Sequence, residues 1–371
     1  MPRDAYLLKE SFTAIEDKAD KVAGYFYARL FTKNPSLREM FPVMMDTQRS
    51  RLVDAIVQAV QGIDNPEVLV PFLRQLGRDH RKFGVIAEHY DAVGSSLVEA
   101  LRVFSGDAWS AEIEAAWVDA YGLLARTMID AANMAEADMP AWWDAEVVSH
   151  ERRAHDLAVI TVRPDQPFPY RAGQFASLEC SHRPRMWRYF SMANAPRTDG
   201  LLEFHIRAVG AGWVSSALVW HGKIGDTLRL GPPLGALTVD PGSSRDVLLL
   251  AGGTGLAPLR SLVEDMARWN HMRQVYLFFG ARRPDDLYDM AALQRLQIRN
   301  HWLTVVPAVS EDPTYRGEKG NVCDVMTEWG DWEEHDVVLA GSPDMVRATL
   351  RKLSKIGIPP SRIRFDAYGD L

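Results

Sequence analysis

Three sets of residues in this 371-residue chain have the types and spacing that chemistry needs. The first is a pair of helical stripes. Leu69, Phe72, Leu73 and Leu76 form an apolar face that closes on His80, and Leu52, Ile56, Ala59 and Ile63 form another that opens with Gln48. An imidazole on a buried face can ligate a metal, and an amide on a facing helix can donate a hydrogen bond beside it. The second set is RMWRYFSMANAP (185–196), which follows YRAGQF and combines a cation, flat aromatics and a small hydroxyl. Arginine suits a phosphate and an aromatic suits a flat ring. The third set is glycine-rich: GAGWVSSAL (210–218), AGGTG (251–255) and AGSPDMV (340–346). Glycines ahead of a helix let the backbone approach a diphosphate.

The elements that position these residues come in three textures. The first 130 or so residues carry apolar spacings of three and four throughout, with breaks at Asn34-Pro35, Phe41-Pro42, Asn65-Pro66 and Ser105-Gly106. That pattern predicts an all-α region. A third stripe there, Trp117, Tyr121, Leu124, Met128 and Ala132, is simply apolar. From Trp142 onward short β-rich runs (AEVVSHE, LAVITVRP, FASLEC, LEFHIRAV, DTLRLG) are separated by Gly and Pro, the pattern of an antiparallel barrel or sandwich. After Pro241 the strands DVLLLAG, QVYLFFGA, LTVVPAVS and DVVLAG alternate with amphipathic helices, which predicts a doubly wound parallel sheet. The acidic stretch NMAEADMPA (133–141) reads as the first linker. The expected fold is therefore multi-domain: all-α at 1–135, a β-barrel at 142–240 and an α/β domain at 241–371.

Composition narrows the function classes. Hydrophobic residues make up 47 % and charged residues 25 %, with a net charge of −7. No basic block is interleaved with aromatics, so nucleic acid is not an expected partner. No apolar run reaches the roughly 20 residues of a membrane helix, and no secretory leader is visible, so a cytoplasmic location is expected. The two cysteines, Cys180 and Cys323, cannot supply the four thiolates of a cysteine-ligated iron–sulfur cluster.

Two stripes that each turn a polar group inward are what a haem pocket requires, although a lone histidine on an apolar face is more often a satisfied core residue. Periodicity leaves those readings level. The segments YFYARLFTKNPSLREMFP, LVPFLRQLGRDHRKFGVIAEHYDAVGSSLVEAL and AWVDAYGLLARTMI resemble the globin domain of bacterial haemoglobins and flavohaemoglobins over roughly residues 5–133. The resemblance implies a haem b site. His80 matches the proximal iron ligand, Phe41 the aromatic against the porphyrin, and Tyr27 and Gln48 the distal pair that hydrogen-bonds the gaseous ligand. Leu52 matches their apolar neighbour, and Tyr90 the tyrosine that orients the proximal imidazole. Two positions depart from the family: Ala132 stands where a proximal glutamate is usual, and Asp79 where a lysine pairs with a haem propionate, leaving Arg78, Arg81 or Lys82 as substitutes.

The remaining motifs resemble the ferredoxin–NADP-reductase-like superfamily. By that resemblance Arg188, Phe190 and Ser191 match the FAD-binding cation, ring-stacking aromatic and hydroxyl, with Phe190 in place of the usual Tyr. Val214, Ser215 and Ser216 match the diphosphate turn, GPPLG (231–235) the loop closing the barrel, and Tyr368 the C-terminal aromatic covering the flavin. Gly252, Gly253, Thr254, Gly255 and Pro258 match the NAD(P)H motif. Gly341 belongs to the motif beside the nicotinamide, where Ala340 replaces a common cysteine. Arg282 and Arg283 could read a 2′-phosphate, but Asp285 and Asp286 favour NADH over NADPH. The whole chain thus resembles a flavohaemoglobin, which implies electrons passing from NAD(P)H through FAD to haem, and oxidation of nitric oxide to nitrate with O2. The alternatives are a haem–flavin oxidoreductase with another oxygen or organic substrate, a reductase component for a partner oxygenase, or an oxygen or redox sensor, for which no output module remains.

Overall fold

The computed structural model describes residues 2–210 and 212–367. The chain divides into two compact units, one reaching Trp142 and the other beginning at Trp143.

The first unit is all helix: α1 (Pro2–Thr13), α2 (Ala19–Lys33), α3 (Asp46–Gly62), α4 (Pro66–His80), α5 (His89–Ser105) and α6 (Ala111–Glu136). Their boundaries follow local chemistry. Pro66 opens α4, where a missing N–H costs nothing. The Ser110 hydroxyl accepts from Ile113 N and caps α6. Helix α6 runs to Glu136, so the expected linker begins as helix. Met128, Ala131 and Ala135 keep a buried stripe going, and no Pro or Gly intervenes before Pro140. The core gathers Phe26, Leu30, Ala100, Leu101 and Trp117 around α2, α5 and α6. A smaller cluster joins Leu69 and Leu73 of α4 to Met128 of α6. Gly77 lets those two helices approach, because a Cβ there would overlap the Met128 carbonyl.

The second unit opens with an antiparallel sheet of β1 (Trp143–Ala154), β2 (Leu157–Pro164), β3 (Phe175–Cys180), β4 (Arg188–Ser191), β5 (Leu202–Arg207) and β6 (Thr227–Leu230), in the order β4-β3-β6-β1-β2-β5. Its two edges meet through a bridge between Met192 and Phe204 and a hydrogen bond from Ala193 N to Glu203 O at 2.7 Å, which nearly closes the barrel. Early in β1 Trp143, Ala145 and Val147 are buried while Asp144 and Glu146 are exposed, the alternation of a sheet with one wet face. Helix α7 (Trp213–Trp220) lies between β5 and β6 in the chain.

A parallel sheet follows: β7 (Val247–Gly252), β8 (Val275–Ala281), β9 (Leu303–Val309), β10 (Glu318–Lys319), β11 (Asp336–Gly341) and β12 (Ile363–Ala367), ordered β10-β9-β8-β7-β11-β12. The helices α8 (Leu256–Met266), α9 (Met290–Arg299), α10 (Val322–Trp329) and α11 (Pro343–Lys355) connect its strands. β11 is buried at every position, as a strand covered on both faces should be. One core cluster joins Leu157, Val159 and Leu237 of the barrel to Leu249, Leu259 and Phe279 of the parallel-sheet part. Among the described residues no helix is long and apolar enough to cross a membrane.

Candidate functional site

In the helical unit the candidate residues gather in two places. Tyr27 is buried on α2 and packs edge-on against Phe41, with ring centroids 5.5 Å apart. Phe31, one turn beyond Tyr27, completes the cluster at 5.2 Å from Phe41. No motif singles out Phe31, although its i, i+4 spacing from Tyr27 places it on the same helix face. The Tyr27 hydroxyl donates to the main-chain carbonyl of Gln48 at 3.4 Å. Burial pushes its pKa up to about 12 against the lowering effect of the Gln48 side chain, so the phenol keeps its proton. Leu52 packs into the same core, partly buried.

His80 and Tyr90 line a separate cavity of about 280 Å3, with Arg81, Ala132 and Glu136 also on its wall. His80 Nδ1 lies 2.8 Å from the carbonyl of Leu76, one turn back on α4. A carbonyl only accepts, so the proton sits on Nδ1 and the Nε2 lone pair is left for a metal. Burial lowers the imidazole pKa, against the Leu76 hydrogen bond, and keeps the ring in the neutral form a metal takes. The ring is thus oriented by its own helix. Tyr90, whose pKa burial raises to about 12, borders the same space, and its carbonyl accepts from the Tyr121 hydroxyl at 2.7 Å.

Ala132 does face this cavity. One turn on, the exposed Glu136 faces it too, a carboxylate that comparison of Ala132 alone overlooks and helical spacing reveals. Of the three cations considered near His80, Lys82 is buried against Asp79 at 2.6 Å and Arg78 donates to Gln75 at 3.1 Å. Arg81 is the one that lines the cavity.

The second unit holds the other candidates. In β4 Arg188 pairs with Leu178, and Phe190 with Ala176. Strand alternation puts Arg188 and Phe190 on one face, while Tyr189 turns to the other and packs against Phe175 with centroids 5.3 Å apart. Ser191 ends the strand, buried. The following turn is tied down by Asn194. Its carbonyl accepts from Tyr170 at 3.0 Å and from Ser261 at 2.8 Å, and Ala195 N donates to Glu264 at 3.1 Å. GAGWVSSAL is more than a turn, since Trp213 onward forms α7. Val214 and Ser215 are buried in its first turn, and the hydroxyls of Ser215 and Ser216 turn back to the Gly212 and Val209 carbonyls at 3.1 and 3.5 Å.

The glycine turn after β7 falls where the sheet order reverses, since β8 lies on one side of β7 and β11 on the other. Such a switch point opens a crevice at the strands' carboxyl ends. β7 and β11 run in register, Ala251 beside Ala340, which brings Gly252 and Gly341 to that crevice. Gly255 can only be glycine, because a Cβ would overlap the Ala340 carbonyl. Pro258 is buried in the first turn of α8. Tyr368 lies outside the described residues. A buried ionic network also spans the barrel and α8: Arg260 meets Glu203 at 2.5 Å, Asp289 at 3.0 Å and Glu264 at 3.0 Å. Burial alone would raise the Glu203 pKa, but His205 and Arg260 overcome it and bring the value down to about 2.

An all-α unit with a metal-ready histidine, joined to an antiparallel barrel and a switch-point α/β domain, defines the class of globin–reductase fusions. The globin family model matches residues 24–128, the oxidoreductase FAD-binding domain 144–239 and the oxidoreductase NAD-binding domain 249–351. A flavohemoprotein of Bordetella parapertussis is 29 % identical over 99 % of this chain and 98 % of its own length. The reductase component of a naphthalene 1,2-dioxygenase system from Pseudomonas putida is 34 % identical over 60 % of this chain and 67 % of its own. The crystal structure of a flavohemoglobin from Malassezia yamatoensis superposes with a TM-score of 0.82 at 19 % identity, covering 100 % of this chain and 99 % of that one. The chain is a globin domain fused to an FAD- and NAD(P)H-dependent oxidoreductase domain, and it matches the flavohemoprotein family closely.

Proposed function

We propose that this chain is a nitric oxide dioxygenase that uses NADH, FAD and haem b. The observation that carries the haem part of this reading is the His80 imidazole, neutral and fixed through Nδ1 at a cavity wall, with Nε2 left to ligate iron. Arg81 is the cation that would pair with a propionate. Phe41 would pack on the porphyrin, with Tyr27, Gln48 and Leu52 around the bound gas. Arg188 and the first-turn N–H groups of α7 at Val214 and Ser215, with the Ser216 hydroxyl beside them, would hold the FAD diphosphate, Phe190 would lie on the flavin ring, and Ser191 would hydrogen-bond it. Gly252–Gly255, Pro258 and Gly341 would seat the dinucleotide, and Tyr368 would cover the flavin face until the nicotinamide arrives.

When bound, these groups supply a two-electron acceptor that releases electrons singly and a metal centre for oxygen chemistry. Each nitric oxide, with one O2 and one electron, leaves as nitrate. NADH is favoured because Arg282 faces Glu311 at 3.6 Å and Asp285, three residues on, is exposed, which opposes a 2′-phosphate. The test is NADH-driven nitric oxide consumption under air with nitrate counted, alongside the absorption spectrum of the same sample. One nitrate per nitric oxide is expected, and NADH oxidation without nitrate would overturn the reading.

One observation favours a second reading, a haem–flavin oxidoreductase acting on another acceptor. Ala132 puts no carboxylate at that position of the wall, Glu136 standing a turn further on, and the imidazole bonds a neutral carbonyl instead. A weaker partner makes the ligand less electron-donating.

A further inference from the structure

Trp213, the first residue of α7, is unassigned by any motif, yet it is large, aromatic and 47 % exposed. It is also held in place. The Arg183 guanidinium, from the segment between β3 and β4, lies over the indole with Cζ 5.3 Å from the ring centroid. Arg183 Nη1 donates to the His182 carbonyl at 2.8 Å, while its Nε is buried with no hydrogen-bond partner among the described residues. A cation–π contact thus ties the segment leading to Arg188 to the start of the helix that carries Val214 and Ser215. The N–H groups of Val214 and Ser215 in that first turn have no intrahelical acceptors, which suits them to a diphosphate, whereas Ser216 N donates to the Gly212 carbonyl at 2.9 Å.

We propose that Trp213, backed by Arg183, is the platform on which the adenine of FAD stacks. The inference rests on the flavin reading above. Adenine is a flat uncharged heterocycle, and a rigid indole recognises it by stacking. It hangs from the diphosphate through a single ribose, so its seat must adjoin the phosphate seat. Trp213 directly precedes Val214–Ser216 in the chain. The free Arg183 Nε–H supplies a donor for a ring nitrogen or a phosphate oxygen.

FMN, which lacks the adenylate, separates this platform from the rest of the flavin site. The full-length chain, stripped of flavin, is titrated with FAD and with FMN while quenching of flavin fluorescence is followed. The parent is expected to bind FAD more tightly than FMN. Trp213→Ala should weaken FAD about tenfold, the loss of one base stack, and leave FMN within about twofold. Trp213→Phe should recover most of the FAD affinity. Unchanged FAD binding in Trp213→Ala, an equal loss for both flavins, or a Trp213→Phe as weak as the alanine variant would overturn the platform. Equal affinity of the parent for both flavins would overturn the platform alone. A parent that binds neither would overturn the flavin reading and the platform with it.

Discussion

The helical cavity and the switch-point crevice are built from different material. Around His80 the site is made of side chains: an imidazole, a tyrosine, an arginine, and an alanine where a carboxylate could stand. At the β7–β11 switch point it is made of backbone, with Gly255 pressed against the Ala340 carbonyl so that no side chain fits between. A side-chain site can be retuned by one substitution while the helices keep their packing. A backbone site is welded to the sheet, and changing it changes the fold.

Substitutions can break or sharpen that contrast. The largest effect is expected from His80→Ala, which should abolish the Soret band of the purified chain while NADH still reduces the flavin at the parental rate. Loss of both together would mean that the two halves do not separate as described. Gly255→Ala should cost roughly 3 kcal/mol of reductase stability through overpacking, read by thermal unfolding, together with most of the hydride transfer. A parental melting temperature there would dissolve the backbone half of the comparison.

A pH experiment tests the buried network joining the barrel to α8. Glu203 titrates near 2 in the folded chain against an ordinary value of 4.5. Its contribution is therefore complete above about 4.5 and drains away as the pH falls toward 2, on the order of 3 kcal/mol in all. Denaturant unfolding of the reductase transition at pH 7 and pH 3 should show the loss, and Glu203→Gln should flatten it. An unchanged slope in that variant would remove Glu203 from the clamp. The smallest effect sharpens the haem side. Ala132→Glu should lower the haem midpoint potential by on the order of 60 mV, the one-electron equivalent of a tenfold change. An unmoved potential in spectroelectrochemistry would show that position 132 has no hold on His80.

Much of this was legible from residues alone where motif and backbone coincide. The strand, glycine turn and helix of 246–266, the RYFS strand and the apolar stripe ending at His80 all lie where their periodicity places them. Other features were not legible, because they depend on which elements meet. Arg183 and Trp213 are thirty positions apart, and Arg260 finds Glu203 and Asp289 across two sheets' worth of chain. Tyr27 meets Gln48 through the main-chain carbonyl, a partner that residue types do not announce.

The sequence by itself determined the three textures, the order of the motifs and the face on which His80 stands, because hydrophobic period and turn chemistry act over a few residues. Only the tertiary structure decided that Nδ1 of His80 bonds Leu76, that Lys82 is taken by Asp79 while Arg81 lines the cavity, and that Glu136 shares its wall with Ala132. The physical reason is that a side chain's partner is set by the packing of whole helices and sheets, which local pattern constrains but does not specify.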